Sequence, residues 1–140
     1  MDLTFQTEEY LYKDLTDKII KHYYKVYNTL GYGFLENVYQ NALFFELMDN
    51  GFECEAQKEI NVYYSGICVG KYKADIVVND LIILELKATE ELCESHATQL
   101  LNYLKSTDCE VGLLLNFGKK PEIRRRVFLN EEKYNLRKSL

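Results

Sequence analysis

Asp75, Glu85 and Lys87 are the residues of this chain whose types and spacing could do chemistry together. Two carboxylates held side by side offer oxygen ligands to a hard divalent cation, and a lysine beside them can act on a water or a phosphoryl oxygen. Whether they meet depends on the turn at Asn79-Asp80. A two-residue loop pairs Val78 with Leu81 and sends Asp75 and Glu85 to opposite faces of the sheet. A three-residue loop, Asn79-Asp80-Leu81, pairs Val78 with Ile82. One face then collects Ala74, Ile76, Val78, Ile82, Leu84 and Leu86; the other collects Lys73, Asp75, Val77, Ile83, Glu85 and Lys87, with Asp75 directly across from Glu85. A slip of one residue exchanges the faces, so burial selects the second register. Like charges directly opposite are destabilising, and a divalent cation between the carboxylates relieves that repulsion. The plainer reading is a solvated sheet face with ordinary salt bridges, and spacing alone does not separate the two.

The elements around this hairpin follow from periodicity. Residues 8–30 predict a helix, with Leu11, Leu15, Ile19, Ile20, Tyr23 and Val26 at helical spacing, and Gly31-Tyr32-Gly33 interrupts it. A second helix over 34–49 carries Leu35, Val38, Tyr39, Ala42, Leu43 and Leu47, and Asn50-Gly51 stops it. Ile60, Val62 and Tyr64 alternate as in a strand, Ser65-Gly66 makes a turn, and strands are expected over 67–78 and 81–87. A helix over 94–105, a buried strand over 111–115, a strand over 124–129 and a terminal helix complete the order. The fold class is α/β (α+β), a central sheet that starts with a β-hairpin and is flanked by helices. At 140 residues, 47% hydrophobic and 28% charged, the chain fits one globular domain over 1–140.

Asp75, followed by Glu85-Leu86-Lys87 on the next strand, resembles the D…(D/E)xK signature of the PD-(D/E)XK nuclease superfamily. Gly33-Phe34-Leu35-Glu36-Asn37-Val38-Tyr39 resembles the motif that names the GxxExxY protein family, a compact branch of that superfamily. Segments 55–57, 62–64, 71–78, 96–103 and 112–118 resemble it in the same order, so that the likeness covers about residues 10–130. It implies a restriction-endonuclease-like core with a mixed sheet and αβββαβ order, and metal-dependent hydrolysis of nucleic-acid phosphodiester bonds with Mg²⁺ or Mn²⁺. Glu36, Asp75 and Glu85 would be metal ligands, with the Leu86 carbonyl a further one, and Lys87 would orient or activate the attacking water. Gln99 and Tyr103 resemble the QxxxY element that follows the catalytic lysine in recombination-type members and helps hold the site. Ala74 stands where the superfamily's name has proline.

Other residues carry weaker signals. His96, Gln99 and Tyr103 form a polar stripe on the 94–105 helix, with Ala97, Leu100, Leu101 and Leu104 on its buried side; a metal-ligand role for His96 is not expected. Tyr39 lies with Leu35, Ala42 and Leu43 and reads either as support for the site or as core. Residues 119–140 hold eight Lys or Arg against three Glu and contain every arginine, while the whole chain carries −5. Arg124, Arg125 and Arg126 are therefore the candidate nucleic-acid contacts, against the reading of a solvated charge run.

The four cysteines have no CxxC or CxH spacing and, with only His22 and His96 to help, predict no zinc site. The acidic start and the lack of a long apolar run lead to an expectation of a cytoplasmic protein with no membrane association. The partner is expected to be DNA or RNA, and nothing in the composition opposes a homo-oligomer. Against the nuclease stand a non-catalytic nucleic-acid-binding or regulatory module on the same fold, and an interaction protein that uses its aromatic-rich helices.

Overall fold

The structure, a computed structural model, describes residues 11–133. Helix α1 (Lys13–Leu30) buries Thr16, Ile19, Tyr23 and Val26, a stripe spaced by three and four residues. It ends where Gly31 takes φ 69° and its N–H bonds the Tyr27 carbonyl. Helix α2 (Glu36–Asp49) buries Tyr39, Leu43 and Leu47, one residue per turn. Strands β1 (Cys54–Tyr64) and β2 (Ile67–Val78) form a long hairpin; Ser65 and Gly66 both have positive φ, the signature of the tightest hairpin turns. Then come β3 (Ile82–Lys87), α3 (Glu94–Lys105), β4 (Val111–Phe117), β5 (Pro121–Val127) and a 3₁₀ turn at Asn130–Lys133. The expected first turn of the first helix and the terminal helix fall largely outside the described residues.

The five strands lie in the order β1-β2-β3-β4-β5, which puts β3, buried from Ile82 to Leu86, in the centre. Every pair is antiparallel except β3–β4, and α3 makes the crossover that a parallel pair requires. Gly112 on β4 allows α3 to pack close: a Cβ there would meet Leu100 Cδ1 at 2.6 Å. Among the described residues no helix is long and apolar enough to cross a membrane.

The β2–β3 connection has the three-residue register. Val78 pairs with Ile82, Val77 with Ile83 and Ile76 with Leu84. Asn79 and Asp80 sit at φ 53° and 55°, a conformation their short side chains tolerate, and Leu81 N–H closes the turn on the Val78 carbonyl at 2.9 Å. Ile76, Val78, Ile82, Leu84 and Leu86 pack under α1 and α2, as the alternation requires.

Two expectations about the faces need correction. The second face is not solvated: α3 covers it, and Ile60, Val77, Ile83 and Leu114 form a second core with Ala97, Leu100, Tyr103 and Leu104. Ala74 belongs to this second core and not to the face of Ile76. The alternation breaks at Asp75. The β1–β2 ladder runs Ala56↔Ile76 and then Lys58↔Ala74, skipping the Gln57–Asp75 step, and Gln57 takes φ 52° there.

Candidate active site

Beyond Ile76↔Leu84 the β2 and β3 backbones part, and side chains take over their pairing. The Asp75 N–H donates to Glu85 Oε1 at 3.0 Å, and the Leu86 N–H donates to Asp75 Oδ2 at 2.8 Å. Each carboxylate thus bridges to the opposite strand, and the two are brought together where the ladder opens. Glu85 is 4% exposed and Asp75 is half-buried. Burial, reinforced by the Asp75 charge, pushes the Glu85 carboxyl up to about 8, against the Asp75 N–H and Lys87, which lower it. Burial also raises the Asp75 carboxyl, against the Leu86 N–H and Lys87, which lower it.

Lys87 lies two residues along β3, half-buried, and its charge favours ionisation of Glu36, Asp75 and Glu85 alike. None of the ion pairs among the described residues involves it. Glu36 opens α2, where a helix N-terminus favours negative charge. It is exposed as a residue, yet the protein around its carboxyl raises its pKa, with Asp75 adding to the rise and Lys87 opposing it. A hydrogen-bond chain ties α2 to the pair: Gln57 Nε2 reaches Gln40 Oε1 at 2.8 Å and Asp75 Oδ1 at 3.4 Å, and Gln40 stands one turn after Glu36.

A family model described as the PD-(D/E)XK nuclease superfamily matches residues 13–126. The chain belongs to this superfamily. A solved structure titled "Crystal structure of SSO0001" is similar at a TM-score of 0.55 and 18% identity, over 90% of this chain and 64% of that one. This chain therefore spans less than two thirds of the SSO0001 chain. The mixed five-stranded sheet between helices is accordingly a restriction-endonuclease-like fold. No curated protein sequence matches the chain.

PD-(D/E)XK nucleases generally use divalent metal ions, and the donors here suit one. They are oxygens only, and burial raises both carboxylates, with the Asp75 charge raising Glu85 further, so each gains from a hard cation nearby. Among the described residues no group of three His, Cys, Asp or Glu side chains is close enough to hold an ion. Asp75 and Glu85 are the pair in contact, and Glu36 is linked to them by charge and through Gln40 and Gln57.

The structure brings other candidates to this nuclease fold in different ways. Tyr103 is 6% exposed, so it belongs to the buried side of α3 and not to its polar stripe. Its hydroxyl takes a 3.0 Å hydrogen bond from Gln99 Nε2 and is pushed up to about 12, first by burial and then by the charges of Glu85 and Asp75. His96 caps its own helix, accepting from the Cys93 N–H at 3.2 Å. Tyr39 is core: it is fully buried and stacks on Phe117 at 4.3 Å. It also positions Glu36, because its hydroxyl donates to the Gly31 carbonyl at 2.5 Å and accepts from the Phe34 N–H at 3.2 Å, closing the loop before α2.

The three arginines are not gathered on one surface. Successive residues of edge strand β5 point to opposite faces. Arg124 lies on the α3 side, with its guanidinium 3.3 Å from the Leu92 carbonyl and near Glu94 and Glu122. Arg125 lies on the α1 side, donating to the Leu11 carbonyl at 2.6 Å. Arg126 donates to the Arg125 carbonyl at 2.9 Å.

Periodicity pointed to neither Gln57 nor Asn116, and both hold the site. Asn116 is fully buried beside Lys87 in the β3–β4 ladder. Its side chain accepts from the Thr89 N–H at 3.0 Å and donates to the Thr89 carbonyl at 2.9 Å, fixing the chain just after Lys87. Its own carbonyl accepts from the Tyr23 hydroxyl. For Asn116 the available signals were a polar residue ending an apolar strand and its place in the 112–118 segment; Gln57 had none beyond its place in the 55–57 segment.

Proposed function

We propose that this protein hydrolyses nucleic-acid phosphodiester bonds with Mg²⁺ or Mn²⁺, held by the carboxylates of Asp75, Glu85 and Glu36 and by the Leu86 carbonyl. The observation that carries this reading is the interlocked pair Asp75 and Glu85, buried where β2 and β3 part, with Lys87 next to it and outside every ion pair described. An ion bound there supplies a more acidic water and a Lewis acid for a phosphoryl oxygen. The chain's own groups do the remaining work. Asp75 and Glu85 are held by backbone N–H groups, so they need no reorganisation when charge develops. The Lys87 ammonium orients the attacking water or steadies the phosphoryl oxygens, and Tyr103 with Gln99 lines the side of the site toward α3.

The same proposal takes the chain as one GxxExxY-type nuclease domain acting on DNA or RNA. Its cysteines, all free, suit a reducing cytoplasmic setting. A second reading is a module that keeps the fold and binds nucleic acid without turnover; the lack of a tight three-carboxylate cluster among the described residues favours it. Incubation with single- and double-stranded DNA and RNA, in Mg²⁺, Mn²⁺ or EDTA, separates the two. Cleavage that disappears in EDTA and in Glu85→Gln supports the enzyme. Binding without cleavage of any substrate supports the module.

A further inference from the structure

A groove of about 740 Å³ runs between the outer side of α3 and the β1–β2 hairpin. That volume lies in the range, roughly 300–1,000 Å³, that buries a drug-sized molecule, and so suits one or two nucleotides. Val62 and Tyr72 form the hairpin wall, and Gln99, Asn102, Tyr103 and Lys105 belong to the α3 wall. Tyr72 is 49% exposed, and its ring lies 5.6 Å from that of Tyr103 at 44°. Tyr72 lies on β2 three residues before Asp75, so the strand that carries the aromatic wall also carries a proposed metal ligand.

The charge of the groove differs from that of the chain. In a protein of net −5, none of the groove's lining residues is acidic. Lys105 supplies a cation, its ammonium also lying 5.5 Å over the Phe128 ring, and Ser, Thr, Asn and Gln side chains supply hydrogen-bond donors. An exposed aromatic face, neutral donors and a lysine suit a phosphate chain whose bases are free to stack. A base inside a duplex has both faces covered and cannot use Tyr72 in this way.

We infer that this groove takes an unpaired stretch of nucleic acid, with one base stacked on Tyr72, and leads the strand to Asp75 and Glu85. The inference rests on the nuclease reading for what happens at the groove's inner end and names the substrate class as single-stranded. The shared chemistry is base stacking plus phosphate contact, which DNA and RNA both provide.

The test is fluorescence anisotropy of the full chain with labelled octathymidylate, octauridylate and a blunt duplex of equal length, all in EDTA so that nothing is cut. The single strands bind more tightly than the duplex, and the two labelled strands tell DNA from RNA. Tyr72→Ala weakens single-strand binding by about 5- to 150-fold, the range for losing one stacked base, while Tyr72→Phe keeps it. Thermal melting of each variant verifies its fold, and Tyr72→Phe serves as the folded control. Equal affinity for the duplex, no single-strand binding, or a Tyr72→Ala variant that binds as the parent does overturns the inference. Tyr72-dependent binding without cleavage in Mg²⁺ leaves the groove standing and defeats the nuclease reading. Cleavage with binding indifferent to Tyr72 does the reverse.

Discussion

Glu85 accepts a hydrogen bond from the backbone N–H of Asp75 while the Asp75 carboxylate accepts one from the Leu86 N–H, so each acid is held by the strand of the other. The two acids therefore stay together without a salt bridge to do it. What opposes them is desolvation and mutual repulsion, which sets the first prediction.

Without a divalent ion, the protein should lose stability as pH rises. The Glu85 carboxyl, ordinarily near 4.5, stands at about 8 in the fold, and the Asp75 carboxyl is shifted in the same direction. A group with a raised folded pKa binds its proton more tightly folded than unfolded. The stability this gives is whole below about 4.5 and is lost as pH climbs through about 8. Melting temperatures in EDTA should fall across that window, and saturating Mg²⁺ should remove most of the fall. Glu85→Gln, which cannot ionise, should flatten the profile in EDTA. A flat parent profile would remove the electrostatic argument for a cation.

Lys87→Ala and Asp75→Asn should separate catalysis from metal binding. Lys87 affects the carboxylates only from outside ion-pair distance, so Lys87→Ala should keep stabilisation by Mg²⁺ while losing cleavage by 100-fold or more, about 2.7 kcal/mol of transition-state stabilisation. Asp75→Asn should lose both, because a neutral amide is a poor ligand for a hard cation. Melting curves with and without Mg²⁺, beside a cleavage assay, check the pair. Parallel loss of both properties in Lys87→Ala would make the lysine part of the ion's own site.

The strand pairing that carries the candidate site was legible in the sequence, and the reasons are physical. The register of β2 against β3 followed from burial alone, because any slip would put Ile76 and Leu84 on the polar side. The extent of α3 followed from its periodicity and matches Glu94–Lys105. What could not be read was which surface covers which. Ile83 and Val77 looked like apolar residues on a polar face, and only the crossover through α3 shows that this face is a second core. The position of Ala74 depended on Gln57 adopting positive φ, for which a glutamine gives no warning. The arginine run looked like one patch because strand alternation was not applied to it; on edge strand β5 that alternation divides it.

The arginines should accordingly part company. Arg125→Gln removes a charged hydrogen bond to the Leu11 carbonyl, and it should cost about 1–2 kcal/mol, a value discounted for the half-exposed setting, with little effect on nucleic-acid affinity. Arg124→Gln and Arg126→Gln should change stability by less. If either meets phosphate, its loss should flatten the salt dependence of binding by about one unit of slope. Urea melts and salt titrations of binding read the two effects separately. A shared effect of all three on binding alone would restore the single patch.

Asn116→Ala tests whether Lys87, the proposed catalytic lysine, is positioned from the neighbouring strand. Asn116 is fully buried, pairs with Lys87 across the parallel β3–β4 ladder, and satisfies both the N–H and the carbonyl of Thr89. Truncation leaves both Thr89 groups without their partner, at a cost toward the low end of about 1–3 kcal/mol for each, because Thr89 is half-buried. Gly118 limits any collapse into the gap, since a Cβ there would already stand 2.3 Å from the Thr89 carbonyl. The loop after Lys87 should therefore move and carry the lysine with it. Cleavage should fall in kcat with KM nearly unchanged, because Asn116 orients Lys87 and is not proposed to touch the substrate. Mg²⁺-induced stabilisation should survive, because Asp75 and Glu85 are held by β2 and β3 backbone groups that do not involve Thr89. Asn116→Asp keeps the acceptor for the Thr89 N–H but loses the donor to its carbonyl, so it should recover part of the stability and part of kcat. A fall in stability with kcat intact in both variants would make Asn116 a purely structural residue.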